Sequence, residues 1–257
     1  MKRILIIPRI NELSVSLSLA GEYGAGFEYN DFFKPDILDN KQLCEEITQK
    51  YLAEKLPEYC TLHGAFFDVI PFSPDKKIRE ISDLRIEQSI RAAEKIGARA
   101  VVFHTNYNPF LNTRQYLEGW FAQNAEYWGS VLEKHPDINI YIENMFETSP
   151  DILAELAQRL CRFDNFGVCF DYAHAAITDI PHKTWAKALG QYTKHIHIND
   201  NDLKSDLHLA IGDGQINFSE FYELYEKYLN NASVLVETSS TEAQRRSLER
   251  FRRDGFI

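Results

Sequence analysis

Six apolar runs in this chain stop at or beside an ionisable side chain. CTLH ends on His63, VVFH on His104, IYIE on Glu143 and VCFD on Asp171, with His174 three residues later; HIHI carries His195 and His197, and LVE ends on Glu237. Imidazole nitrogen and carboxylate oxygen together are the donor mixture of zinc or manganese. Period-two alternation places Tyr141 with Glu143, and Leu235 with Glu237, on one face of their strands. Two such carboxylates brought together in an interior would cost several kcal/mol or take up protons, and a divalent cation removes that cost. A single strand-end histidine is ordinarily a hydrogen-bonded structural residue, and a single Asp or Glu a cap or ion-pair partner. Six runs of this kind in succession point instead to a shared metal site. His195 lies on the face of His197 but deeper, and reads as a packed core histidine. His135 and His182 stand beside prolines in loops and receive no role.

The elements that must carry these residues alternate regularly. Strand candidates fall at Arg3–Pro8, Gly26–Tyr29, Tyr59–His63, Ala98–His104, Ile138–Glu143, Phe166–Asp171, Lys194–Asn199 and Ser233–Glu237. Helical stripes lie between them. Ile86, Ile90 and Ala93 share a face before Gly97, a C-terminal glycine, and Leu153, Leu156 and Leu160 follow Ser149-Pro150, an N-cap with proline at the first helical position. Thr241 with Gln244 resembles a capping box. Asn11–Tyr23 is only weakly periodic. Eight alternations in 257 residues, with no linker, predict an α/β fold: a single (β/α)8 barrel domain over residues 1–257, with the ionisable residues at the C-terminal strand ends where such barrels place their active sites. The loop NDLKSDLHLAIGDGQINF follows the seventh strand. Extended backbone would present Asp206 and His208 on one side, and Gly212-Asp213-Gly214 would turn the chain toward a helix near Asn217. Taken alone, this loop reads as polar surface.

A net charge of −10 disfavours nucleic acid as a partner. No run approaches 18 apolar residues, so no membrane span is expected. The start MKRILIIPRI reads as a first strand, because its apolar run is short and broken by Pro8 and Arg9. Cys44, Cys60, Cys161 and Cys169 lack CxxC spacing and read as reduced thiols of a cytoplasmic protein.

The ordered motifs IEN, FDYAHA, HIHIND, DLHLAIGDG and VETS resemble the xylose-isomerase-like barrel superfamily, which joins endonuclease IV-type enzymes with sugar isomerases and epimerases. The resemblance runs from about the third strand to the eighth. Its endonuclease IV branch implies three ions, usually zinc: one on His63, His104 and Glu143; a second on Glu143, Asp171, His197 and Glu237; a third on His174, Asp206 and His208. Its epimerase branch implies one ion on Glu143, Asp171, His197 and Glu237, with His174 facing the substrate and the two glutamates as a proton-transfer pair. The chain departs from the endonuclease pattern in its early strands. ILIIPRI carries no polar motif, and the loops NDFFKPDILDN and GAFFDVIPFSPDKK hold Phe32, Phe33, Phe66 and Phe67 but little positive charge. Phe66 is a candidate substrate contact, and at least two of these rings are expected to pack under the loops. The expected activity is a metal-dependent isomerase or epimerase of a small sugar or sugar phosphate, with one to three zinc or manganese ions. The alternative is a trinuclear phosphoesterase acting on abasic DNA or a small phosphoester.

Overall fold

Residues 2–257 are described by a computed structural model. Eight short strands close into one parallel barrel in sequence order. They are β1 (Ile4–Ile6), β2 (Gly26–Tyr29), β3 (Cys60–His63), β4 (Ala100–His104), β5 (Asn139–Glu143), β6 (Phe166–Asp171), β7 (Thr193–Ile198) and β8 (Ser233–Val236). β8 pairs with β1 to complete the ring. The expected strands are all present, with most of their edges trimmed. β1 loses Arg3, Ile7 and Pro8, and β8 stops at Val236, so Glu237 stands one residue beyond its strand.

Alternation along each strand divides the apolar residues into two shells. Leu5, Ile7 and Leu235 form one buried cluster, and Ala100, Val102, Tyr141 and Cys169 another. The opposite faces, with Ile4, Ile6, Val101, Ile140 and Ile142, belong to the large outer core under the helices. Tyr141 and Leu235 thus share the inner face with Glu143 and Glu237, as the period predicts.

The helices are α1 (Leu13–Tyr23), α2 (Pro35–Asp39), α3 (Lys41–Leu52), α4 (Lys76–Ile96), α5 (Arg114–Lys134), α6 (Asp151–Leu160), α7 (Tyr172–Ala176), α8 (His182–Leu189), α9 (Phe218–Leu224) and α10 (Thr241–Arg253). The weakly periodic segment is α1, whose buried face is made of Ser16, Leu19 and Ala20. α4 ends at Gly97 with φ 78°, the left-handed cap its sequence suggests. Two caps differ from expectation. Ser240, not Thr241, caps α10 by accepting from the Ala243 amide, while Gln244 reaches the Ile7 carbonyl. Pro150 occupies the N-cap of α6 and no side chain caps it; Ser149 bonds Asp151 instead. All four cysteines are free thiols. No helix among the described residues is long and apolar enough to cross a membrane.

Candidate metal centre

Strand register brings the ionisable residues together. His104 lies opposite Glu143, and Asp171 opposite His197. At the centre is Glu143, 1% exposed. Its Oε2 is 3.7 Å from His63 Nε2, 3.5 Å from His104 Nε2 and 3.2 Å from His197 Nδ1. His197 Nδ1 is also 3.4 Å from Glu237 Oε2. Glu143 Oε2, Asp171 Oδ2 and His197 Nδ1 are buried without a directed hydrogen bond. Donor atoms that crowd this closely without bonding one another converge on a common point. Bonds of about 2.0–2.2 Å from zinc to nitrogen and oxygen put neighbouring ligand atoms about 3.4 Å apart in a tetrahedron, close to these separations. Three donor groups lie close enough to fit an ion: His63, His104 and Glu143; Glu143, Asp171 and His197, with Glu237 beside it; and Cys169, His195 and His197, of which His195 is already bonded at both nitrogens.

The far sides of the ligands are held. His63 Nδ1 donates to the Gly64 carbonyl at 3.0 Å, leaving Nε2 for the centre. His104 Nδ1 contacts Met145 Sδ at 3.0 Å. Asp171 Oδ1 caps α7 at the His174 amide, and Asn144 ties the ends of β5 and β6 by accepting from the Asp171 amide and donating to its carbonyl. Such outer partners fix ring orientation and leave one nitrogen for a metal.

The third predicted group is assembled but closed. Asp206 Oδ2 is hydrogen-bonded to His208 Nε2 at 2.9 Å and to His174 Nε2 at 3.3 Å, and His174 Nδ1 donates to Asn144 O at 2.9 Å. His174 and His208 have a partner at each ring nitrogen, and Asp206 Oδ2 joins the two rings. The loop bearing Asp206 and His208 is held by Asp200, which no local sequence pattern singles out. Its buried carboxylate accepts from Gly212 and Gly214 at 2.9 Å on Oδ2, and from Asn201 at 2.9 Å and Ile216 at 3.0 Å on Oδ1. Gly214 is required there, because a Cβ would lie 2.4 Å from Asp200 Oδ1 and 2.3 Å from the Asn201 carbonyl.

The charges of the centre lean on one another. Burial raises the Glu143 carboxyl, but His197 and His104 outweigh it and hold the group well below the usual carboxylate range. Burial pushes Asp171 up to about 7; His174 opposes this, while Glu143 and Glu237 add to it. Burial lowers His208, yet Asp206 and Glu237 carry it up to about 10.

Glu28 on β2 was missed in the sequence, where a lone Glu in GFEY carries no signal. It is fully buried beneath the centre, with Oε1 3.0 Å from His197 Nε2 and Oε2 3.0 Å from His195 Nε2. His195 also meets Ser233 Oγ at 2.7 Å and is a satisfied core residue, as its depth predicted. Phe32 is buried, Phe66 packs on His63 and His104 with centroids 5.1 and 4.8 Å away, and Phe67 is exposed. A cavity of about 1040 Å³ opens beside His174 and Asp206. It is walled by Tyr107, Phe110, Phe146 and Ile180, with no Lys or Arg lining it. Glu147 lines it too, its carboxylate accepting from Thr105 and from the Met145 amide. A second cavity, of about 490 Å³, lies on the other side against His208 and Glu237.

The sequence profile of the xylose isomerase-like TIM barrel family matches residues 19–254, and the chain belongs to that family. An uncharacterized protein of Methanocaldococcus jannaschii is 28% identical over 204 residues, 74% of this chain and 69% of that protein. A protein of Ureaplasma parvum described as a probable endonuclease 4 is 25% identical over 189 residues, 65% of this chain and 61% of its own length. Among solved structures, a Thermus thermophilus protein soaked with ZnCl2 superposes with TM-score 0.77 at 22% identity, covering 99% of both chains. A D-tagatose 3-epimerase-like protein gives TM-score 0.76 at 22% identity over 98% of this chain and 96% of its own. At these identities the two superpositions establish the shared barrel.

Proposed function

We propose that this protein is a divalent-metal-dependent isomerase or epimerase of a small carbohydrate. The observation that carries the reading is the open donor set at Glu143, Asp171 and His197 with Glu237 alongside, while the His174–Asp206–His208 group is already satisfied by its own hydrogen bonds. Asp171, His197 and the two glutamates would hold the ion. When bound, that ion polarises a sugar carbonyl and so acidifies the neighbouring C–H. Glu143 and Glu237 lie 3.2 and 3.4 Å from His197 Nδ1, and in this reading one carboxylate takes the proton from the sugar carbon while the other returns one. The cavity beside His174, without cations and walled partly by aromatic rings, suits an uncharged polyhydroxylated ligand, while the smaller cavity against Glu237 is bordered by Arg9 and Lys34 and would accept a phosphorylated one. The tagatose 3-epimerase-like fold neighbour is compatible with this substrate class.

The test is solvent exchange. Zinc- or manganese-loaded protein incubated in D2O with a panel of ketoses and aldoses should place deuterium on the carbon beside the carbonyl, and EDTA should abolish it. Absence of exchange across the panel, together with metal-dependent cleavage of bis-p-nitrophenyl phosphate or abasic-site duplex DNA, would replace this reading with phosphoester hydrolysis. One observation favours that second reading: His63 and His104 also face Glu143 with open nitrogens, a donor group a single-ion sugar enzyme does not need.

A further inference from the structure

A carboxylate sits one layer below the proposed ion site, where no ligand set includes it. Glu28 is wholly enclosed by the barrel and receives three partners. Thr61 Oγ1 donates to Oε2 at 2.6 Å, His195 Nε2 lies 3.0 Å from the same oxygen, and His197 Nε2 lies 3.0 Å from Oε1. The two imidazoles differ in how they are satisfied. His195 has a hydrogen-bond partner at each nitrogen, Glu28 and Ser233. His197 has none: its Nε2 and Glu28 Oε1 are close, but the ring is turned so that the N–H axis misses the oxygen, and its Nδ1 faces Glu143 and Glu237.

An ionised carboxylate only accepts hydrogen bonds. With Glu28 Oε1 3.0 Å away, a lone pair on His197 Nε2 would face the lone pairs of the carboxylate, so the proton is favoured on Nε2 and the lone pair on Nδ1, at the centre. We infer that Glu28 is a positioning residue for the metal centre: it selects the His197 tautomer whose Nδ1 is free to ligate, and its negative charge stands behind that imidazole when a cation binds in front. Thr61 on the neighbouring strand β3 and His195 across the barrel on β7 keep the Glu28 carboxylate in place. The inference rests on the metal reading proposed above, though not on which reaction the metal serves. Loss of an outer carboxylate of this kind weakens metal binding by about 10–100-fold.

The experiment uses the full chain loaded with zinc, its affinity measured by chelator competition, and with cobalt(II), whose visible absorption reports ligand geometry. Glu28→Gln, isosteric but able to donate, is expected to lose about 10–100-fold in zinc affinity and to shift the cobalt bands. Thr61→Val removes one bond that holds the same carboxylate without touching His197, and is expected to lose less affinity than Glu28→Gln, in the same direction. Should Glu28→Gln fail to fold, Glu28→Asp, which keeps the charge and withdraws the oxygens, should show a smaller loss in the same direction. Wild-type affinity and an unchanged cobalt spectrum in a folded Glu28 variant would overturn the inference and leave the metal centre standing. A wild-type chain that holds neither ion would remove both.

Discussion

Asp200 offers a sharp test of how the His208 loop is held. Its carboxylate, fully buried, accepts four backbone amides, two on each oxygen, and thereby folds the segment from Asn201 to Ile216 into one closed turn. Asp200→Asn keeps the volume but puts an NH2 where one acceptor oxygen was. Whichever way the amide turns, two N–H donors, either Gly212 and Gly214 or Asn201 and Ile216, face another donor. A buried donor left without a partner costs about 1–3 kcal/mol; because Gly212 is exposed and Gly214 half-buried while Asn201 and Ile216 are buried, the amide should turn its NH2 to the glycines, for a total of about 1–3 kcal/mol. Because barrel strands do not depend on these four amides, the loss should fall mainly on the loop. Urea unfolding would read the global cost. Hydrogen exchange at Gly212, Gly214 and Ile216 should accelerate well beyond exchange in the β4–β6 strands. A destabilisation below about 1 kcal/mol with unchanged exchange at those amides would show that the carboxylate is not what closes the loop.

Further expectations follow from the same geometry. Glu143→Gln removes the charge shared by both open donor groups, so bound metal and any metal-dependent turnover should both be lost; full metal content by elemental analysis would contradict the site. His208→Ala should reduce turnover only modestly if the Asp206 group stays closed by hydrogen bonds. A collapse of activity accompanied by one fewer ion per chain would favour a trinuclear centre. His182, stacked on Tyr172 at 3.8 Å, is driven by burial from 6.5 to about 4. The unfolded chain therefore takes up that proton first as pH falls. About 3 kcal/mol of stability, present above pH 6.5, should drain away between pH 6.5 and 4. The slope of stability against pH in that window should be shallower in His182→Gln; identical slopes would rule out this histidine as the cause.

Much of this was visible in the residues alone. His63, His104, Glu143, Asp171 and His197 interrupt otherwise apolar strands and so stand out in the sequence; period two groups Glu143 with Tyr141, and the barrel then turns that face inward and register brings the residues together. Glu28 was invisible for the opposite reason: β2 is four residues long, and one acid in GFEY looks like an exposed face until its cross-barrel partners His195 and His197 are known. Asp200 was hidden because its role lies in amides 12 to 16 residues ahead, which no local pattern reveals. α1 gave a faint helical signal because Ser16 and Ala20 pack against the barrel as small residues, leaving little hydrophobic contrast around the helix. Whether the His174 group is open or closed depends on side-chain angles, which residue spacing does not specify.

The donors come from β3 through β8, and β8 owes its place to pairing with β1 as well as β7. If Asp171, His197 and Glu237 hold an ion as proposed, its capture would have to wait for the circle of strands to be complete. A half-formed barrel lacking the last staple offers His63, His104 and Glu143 but no Glu237. Metal uptake timed against refolding would mark the moment the ring closes rather than the collapse that precedes it.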